Sequence, residues 1–133
     1  KKRTLDPEIY TFLGVSGTRR IPQEHIQQRL IYLMINEAAY CLEEGIASRP
    51  RDVDVGVIFG LGFPPFRGGL LRYADAVGIP AIHEKLSIFA REFGSYFTPA
   101  PLLQRLAEKE HGFYEHFGGK PARKRAAAKA GKG

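Results

Sequence analysis

An all-α fold is what this 133-residue sequence predicts. Three stretches carry the expectation. Residues 21–46 wind into one long helix with a broad apolar side. Residues 79–94 repeat Ile82, Leu86, Phe89 and Phe93 at helical spacing, and residues 100–115 place Leu102, Leu103 and Leu106 on a shorter apolar side. Residues 53–61 read equally well as a strand.

The expected organisation is a linker over residues 1–20, a helical domain over 21–117 and a basic, disordered tail over 118–133. Within the linker, Ile9, Tyr10, Phe12 and Leu13 form a short apolar group expected to pack as a turn against the domain. The run GVSG at residues 14–17 is too short for a phosphate-binding loop and reads as a plain loop.

The long helix has marks at both ends. Pro22 suits a first helical turn, where its missing N–H costs nothing, and Gly45 can take the left-handed conformation that stops a helix. At 100° per residue, Ile26, Leu30, Ile31, Leu33, Met34, Ile35, Ala38, Cys41, Leu42 and Ile46 share one broad side. Arg29, Asn36 and Glu43 recur every seven residues on the other, which reads as the polar side. About two dozen residues at about 1.5 Å each make a rod on the order of 35 Å. So wide an apolar side needs other helices, or a second domain, to cover it. Glu37 lies within that side beside Leu33 and Cys41, so its carboxylate is expected to be buried and paired, with Arg67 or Arg72 as partner.

Residues 53–61 support two readings. Val53, Val55, Val57, Phe59 and Leu61 alternate with polar or small residues as in a strand, and Gly60 and Gly62 would then open a dinucleotide-binding turn. That turn lacks its third glycine and meets Pro64 and Pro65 where free N–H groups are required. The helical reading takes Ser48 as N-cap, Pro50 in the first turn and Val53, Val57 and Leu61 as an i, i+4 stripe, with Asp52 and Asp54 in the first turn. Next comes a rigid corner, residues 63–69. Pro64 and Pro65 fix the backbone, Gly68 and Gly69 allow unusual dihedrals or close approach, and Phe63 and Phe66 are large apolar groups. Both rings are expected to pack inward, with Arg67 tying the corner by a charge-assisted hydrogen bond. Its other reading is a ligand-binding loop.

Gly78 then ends a short helix, Pro80 starts the next, and Thr98 is expected to cap the last around Pro99. The six basic residues of the tail, Lys120, Arg123, Lys124, Arg125, Lys129 and Lys132, equal the whole net charge of +6, so the body is neutral. Charge alone would let such a tail touch nucleic acid or an anionic membrane. A small basic nucleic-acid-binding module is therefore the alternative function.

Composition, 44% hydrophobic and 26% charged, is that of an ordinary soluble domain. The chain opens without Met and shows neither a secretory leader nor a bilayer-length apolar run, so Lys1 reads as an internal cut in a longer polypeptide. A single cysteine, Cys41, excludes a disulfide within the chain and reads as a core residue. His25, His83, His111 and His116 lack metal-ligand spacing, so no metal is expected.

The words CLEEGI, DVDVG and GFPPFRGG, within residues 37–75, resemble the C-terminal domain of 3-hydroxyacyl-CoA dehydrogenases. They are especially similar to its second copy in multifunctional fatty-acid β-oxidation enzymes of the enoyl-CoA hydratase/3-hydroxyacyl-CoA dehydrogenase type. The resemblance runs over about residues 5–114. It implies an all-helical domain, with residues 53–60 helical despite their β-branched content. It also implies that catalysis, by a His and Glu pair assisted by a Ser, and the NAD site belong to a dinucleotide-binding domain outside this sequence. The catalytic copy of the domain carries an Asn before an Arg-Leu pair. Here Gln28 precedes Arg29-Leu30, one methylene longer, which implies the second, non-catalytic copy.

The expected role is accordingly a structural pseudo-dimer partner for the catalytic dehydrogenase half, in a bacterial cytoplasmic enzyme acting on acyl-CoA. Its partners would be the dehydrogenase and hydratase domains of the same polypeptide. No catalytic, cofactor or metal residue is expected in the fragment, which alone would be inactive. The expected structural or domain-interface residues are Glu37, Phe63, Pro64, Pro65, Phe66, Arg67, Gly68 and Gly69.

Overall fold

The computed structural model describes residues 6, 8–15 and 20–118. They form seven α-helices and no strand: α1 (Glu8–Phe12), α2 (Gln23–Glu43), α3 (Pro50–Leu61), α4 (Leu70–Val77), α5 (Ile79–Phe93), α6 (Pro101–Glu108) and α7 (Phe113–His116). Two 3-10 turns, Pro65–Arg67 and Ser95–Phe97, complete the set. The basic tail beyond Gly118 and the basic residues Lys1, Lys2, Arg3 and Arg19 lie outside the described residues.

Helix α5 is the hub, touching α2, α4 and α6: Ile82, Leu86 and Phe89 point inward at the spacing read from sequence, joined by Ile79, whereas Phe93, read on the same side, is 41% exposed. Around them close Ile35 and Leu42 of α2, Leu70 and Leu71 of α4, Leu103 and Leu106 of α6, and Phe113 of α7. Burial of each such side chain is worth about 1.5–3 kcal/mol, so this single cluster is the main source of stability.

Residues 50–61 are helix. Pro50 occupies the first turn, Asp52 accepts two hydrogen bonds from the Arg49 guanidinium, and Gly62 ends the helix at φ 71°. Helix α3 leans on α4. Only Pro50 and Asp54 of α3 are buried, so the valines that suggested a strand sit half-exposed along its sides.

The structure corrects several local expectations. Ile9, Tyr10, Phe12 and Leu13 do not pack against the domain; α1 buries nothing and Phe12 is 90% exposed. Neither Ser48 nor Thr98 is a side-chain cap: α3 and α6 begin after Arg49 and Ala100, and neither receives a hydrogen bond from its N-cap side chain. Pro22 precedes α2 rather than opening its first turn. The polar side of α2 is also turned over. Asn36 is fully buried, and Glu43 reaches across to α6, while Leu30, on the supposed core side, is 62% exposed. Helix α2 has apolar residues on two sides, and periodicity alone does not say which side the rest of the chain covers. Cys41, read as core, is half-buried on the open side.

Candidate interaction site

The N-termini of the later helices are held by carboxylates from distant segments. Asp54 of α3 accepts the Leu71 N–H at 2.6 Å and the Arg72 N–H at 3.2 Å, at the start of α4. Asp75 of α4 accepts from Phe113 and Tyr114 at the start of α7, at 2.6 and 3.1 Å. Glu43 accepts the Leu102 N–H at the start of α6 and the Arg105 guanidinium at 2.9 Å. Each places a negative charge where the helix dipole favours one and satisfies N–H groups that have no partner within the helix. Asn36 works alongside: its amide donates to the Thr98 carbonyl and accepts the Ala100 N–H, both at 2.8 Å.

This frame positions the corner at residues 63–69. Phe63 is buried, its ring centroid 6.4 Å from that of Tyr73, and its N–H reaches the Val57 carbonyl at the end of α3. Pro64 and Pro65 are exposed and lead into the 3-10 turn. Gly68 turns the chain at φ 78°. Gly69, at φ 114°, lies against the Asp54 carboxylate: a Cβ there would stand 2.2 Å from Asp54 Cγ. The requirement for glycine at residue 69 is thus steric as well as conformational, imposed by the cap of α4.

Three sequence expectations fail here. Phe66 does not pack inward; it is 83% exposed. The Arg67 guanidinium makes no hydrogen bond among the described residues and instead lies 5.7 Å from the Phe66 ring centre and 5.5 Å from that of Tyr73. Glu37 is exposed and forms no ion pair among the described residues. Its surroundings are open because the side of α2 that carries it has no covering helix. Arg72, its other expected partner, stacks on the Tyr114 ring at 3.4 Å.

An apolar groove results between α2 and α3. Leu30, Leu33, Met34, Ala38 and Cys41 face Val53, Val57 and Leu61 across a cavity of about 490 Å³, with Leu70 also in its lining and Glu37 as the one charged side chain. Next to it, Ile31 and Gln27 of α2 meet Phe63, Pro64, Arg67 and Tyr73 around a smaller cavity of about 260 Å³. Groove and corner therefore form one neighbouring surface, apolar in the middle with Glu37 and Arg67 as its charged members.

Asp54 also accepts the Tyr114 hydroxyl at 2.8 Å. Burial, then that hydrogen bond, push the Tyr114 hydroxyl up to about 12. Burial raises the Asp75 carboxyl above its ordinary value, although its two N–H bonds pull the other way. No sequence signal marked Asp54, Asp75, Glu43 or Asn36 as structural, since each acts on backbone far along the chain.

Residues 25–119 match the family model described as the 3-hydroxyacyl-CoA dehydrogenase, C-terminal domain. The chain belongs to this family. It is also 43% identical over 115 residues to the fatty acid oxidation complex subunit alpha of Idiomarina loihiensis, a match covering 86% of this chain and 16% of that relative. The chain thus spans about one-sixth of the length of the curated relative it matches.

Within this dehydrogenase C-terminal domain, Gln28 donates its side-chain N–H to Glu24 Oε1 at 3.0 Å along the surface of α2. Gly60 and Gly62 do not fit a dinucleotide. They sit at the C-terminal end of α3, where outward carbonyls carry partial negative charge and repel a pyrophosphate. No described helix is long and apolar enough to cross a membrane.

Proposed function

We propose that this chain is the second, non-catalytic C-terminal domain of a multifunctional fatty-acid β-oxidation enzyme, combining enoyl-CoA hydratase and 3-hydroxyacyl-CoA dehydrogenase activities. It serves as the built-in structural partner of the catalytic dehydrogenase half. The observation that carries this reading is the α2–α3 groove, a largely apolar surface left uncovered by the described helices. Family membership and the name of the relative support the same reading.

On this reading the residues 63–69 corner is a fixed edge of the docking face, with Pro64, Pro65, Gly68 and Gly69 holding Phe66 and Arg67 outward. Glu37 enters the interface on docking, and the partner supplies the cation that its carboxylate lacks here. NAD and the proton-abstracting groups belong to the other domains, and acyl-CoA is the parent's substrate. The nucleic-acid alternative rests on basic residues 120–132, outside the described residues.

The test places Leu33→Glu with Val57→Glu in the parent polypeptide and in the chain alone. Both positions already border solvent, so the chain alone should keep its melting temperature within a few degrees. Forcing two carboxylates into a dry interface should lower NAD-dependent oxidation of a 3-hydroxyacyl-CoA by the parent about tenfold or more. Full parental activity with both carboxylates present would defeat the proposal.

A further inference from the structure

A third cavity lies beside the start of α2 and the end of α5. About 220 Å³ in volume, it is lined by Arg20, Ile21, Pro22, His25, Arg29 and Phe93. Three of these six side chains carry nitrogen donors, none is acidic, and the remainder form an apolar wall. Three other arginines of the fold are already engaged: Arg49 with Asp52, Arg105 with Glu43, and Arg72 over the Tyr114 ring. Neither Arg20 nor Arg29 forms an ion pair among the described residues.

Two of the donors, Arg29 and His25, are also held in place. The Arg29 guanidinium lies 3.8 Å from the Phe93 ring centre, so its planar fork is oriented before any ligand arrives. His25 packs edge-on against Phe89 at 5.3 Å and Phe93 at 6.1 Å between ring centres. Phe89 is fully buried, which ties this histidine to the core. The nearest acid along α2, Glu24, accepts the Gln28 side chain instead of an arginine.

We infer that this cavity is a binding site for a soluble organic diphosphate. Arg20 and Arg29 grip the phosphate oxygens, His25 donates a ring N–H, and Ile21 with the Phe93 ring provides a wall for a flat or apolar group on the same ligand. Guanidinium groups match phosphate in paired, charge-assisted hydrogen bonds, and the first turn of α2, which lacks a side-chain cap, adds its positive dipole end. This inference does not depend on the domain's role as a structural partner.

Calorimetric titration of the chain with inorganic pyrophosphate, then with ADP, tests it, alongside NMR of the His25 ring. Saturable binding tighter than about 1 mM is expected, with ADP the tighter ligand and the His25 resonances moving in step. Arg20→Gln, at an exposed position, should weaken both ligands about tenfold at unchanged melting temperature, and Arg29→Gln by at least as much. Arg91→Gln, on the exposed end of α5, is the control and should bind like the native chain. Absence of saturable binding, equal affinity in Arg20→Gln, or association only with anionic phospholipid vesicles would each overturn the assignment.

Discussion

The Asp54 carboxylate lies against Gly69 so closely that a single added carbon on Gly69 would stand 2.2 Å from Asp54 Cγ. The same carboxylate is 98% removed from solvent and receives three donors: the N–H groups of Leu71 and Arg72 and the Tyr114 hydroxyl. Substituting Gly69 by Ala therefore displaces the cap of α4 as well as straining the backbone at φ 114°. A loss of at least about 3 kcal/mol is expected, measured by chemical denaturation. Ala at Gly45, also at positive φ but with open space around it, should cost about 1–2 kcal/mol from backbone strain alone. Equal costs at the two sites would rule out the steric part of the account.

Asn36 links α2 to the chain entering α6, and nothing else among the described side chains occupies its two backbone partners. Asn36→Leu should lower stability by about 2–4 kcal/mol, because it strands the Thr98 carbonyl and the Ala100 N–H away from water. Urea unfolding of the variant at neutral pH checks this. A change below about 0.5 kcal/mol would mean that water reaches those groups.

Glu43→Ala should cost about 1–2 kcal/mol, as expected for loss of a helix cap together with a partly exposed ion pair. This reverses what a place on the polar side of α2 implies, since a solvated surface residue contributes within about 0.5 kcal/mol. Phe66→Ala changes in the other direction, from a large expected loss to about 0.5 kcal/mol or less, since the ring is 83% exposed. Thermal melts of the two variants side by side give opposite orders under the two accounts.

The Tyr114 hydroxyl ionises near 10 in an unfolded chain and at about 12 in the fold. As pH rises through 10 the unfolded chain sheds this proton first, so the folded state binds more protons and stability falls until about pH 12. Tyr114→Phe removes this contribution. The native chain should lose stability more steeply than the variant between these values, and parallel slopes in alkaline denaturation would show that Tyr114 is not held protonated.

Much of the architecture was legible because it depends on spacing. The inward line of Ile82, Leu86 and Phe89, and the stops at Gly45 and Gly78, follow from helical periodicity and local backbone preference. Residues 53–61 were ambiguous, since β-branched side chains on a half-covered helix imitate a strand, and the family resemblance supplied what periodicity did not. The candidate site was read less well. Glu37 and Phe66 were placed inside because α2 and the corner are apolar on sides that this chain leaves open. Asp54 was read as a first-turn charge of its own helix, whereas its work is at the start of α4, 17 and 18 residues further on.

Remote capping also orders events in time. The N–H groups that Asp75 must receive come 38 and 39 residues later, and those awaiting Glu43 and Asn36 come 59 and 64 residues later. A chain leaving the ribosome carries Asn36 and Glu43 unpaired until the segment from Thr98 to Arg105 has been synthesised, and Asp75 unpaired until Phe113 and Tyr114 follow. Up to that point α7 is missing, and α4 and α6, although their caps precede them in the chain, are each too short to persist in water without it and the rest of the core. The domain is consequently expected to become resistant to proteases only after translation has passed its last helix, and a chain stalled before Phe113 is expected to remain a substrate for them.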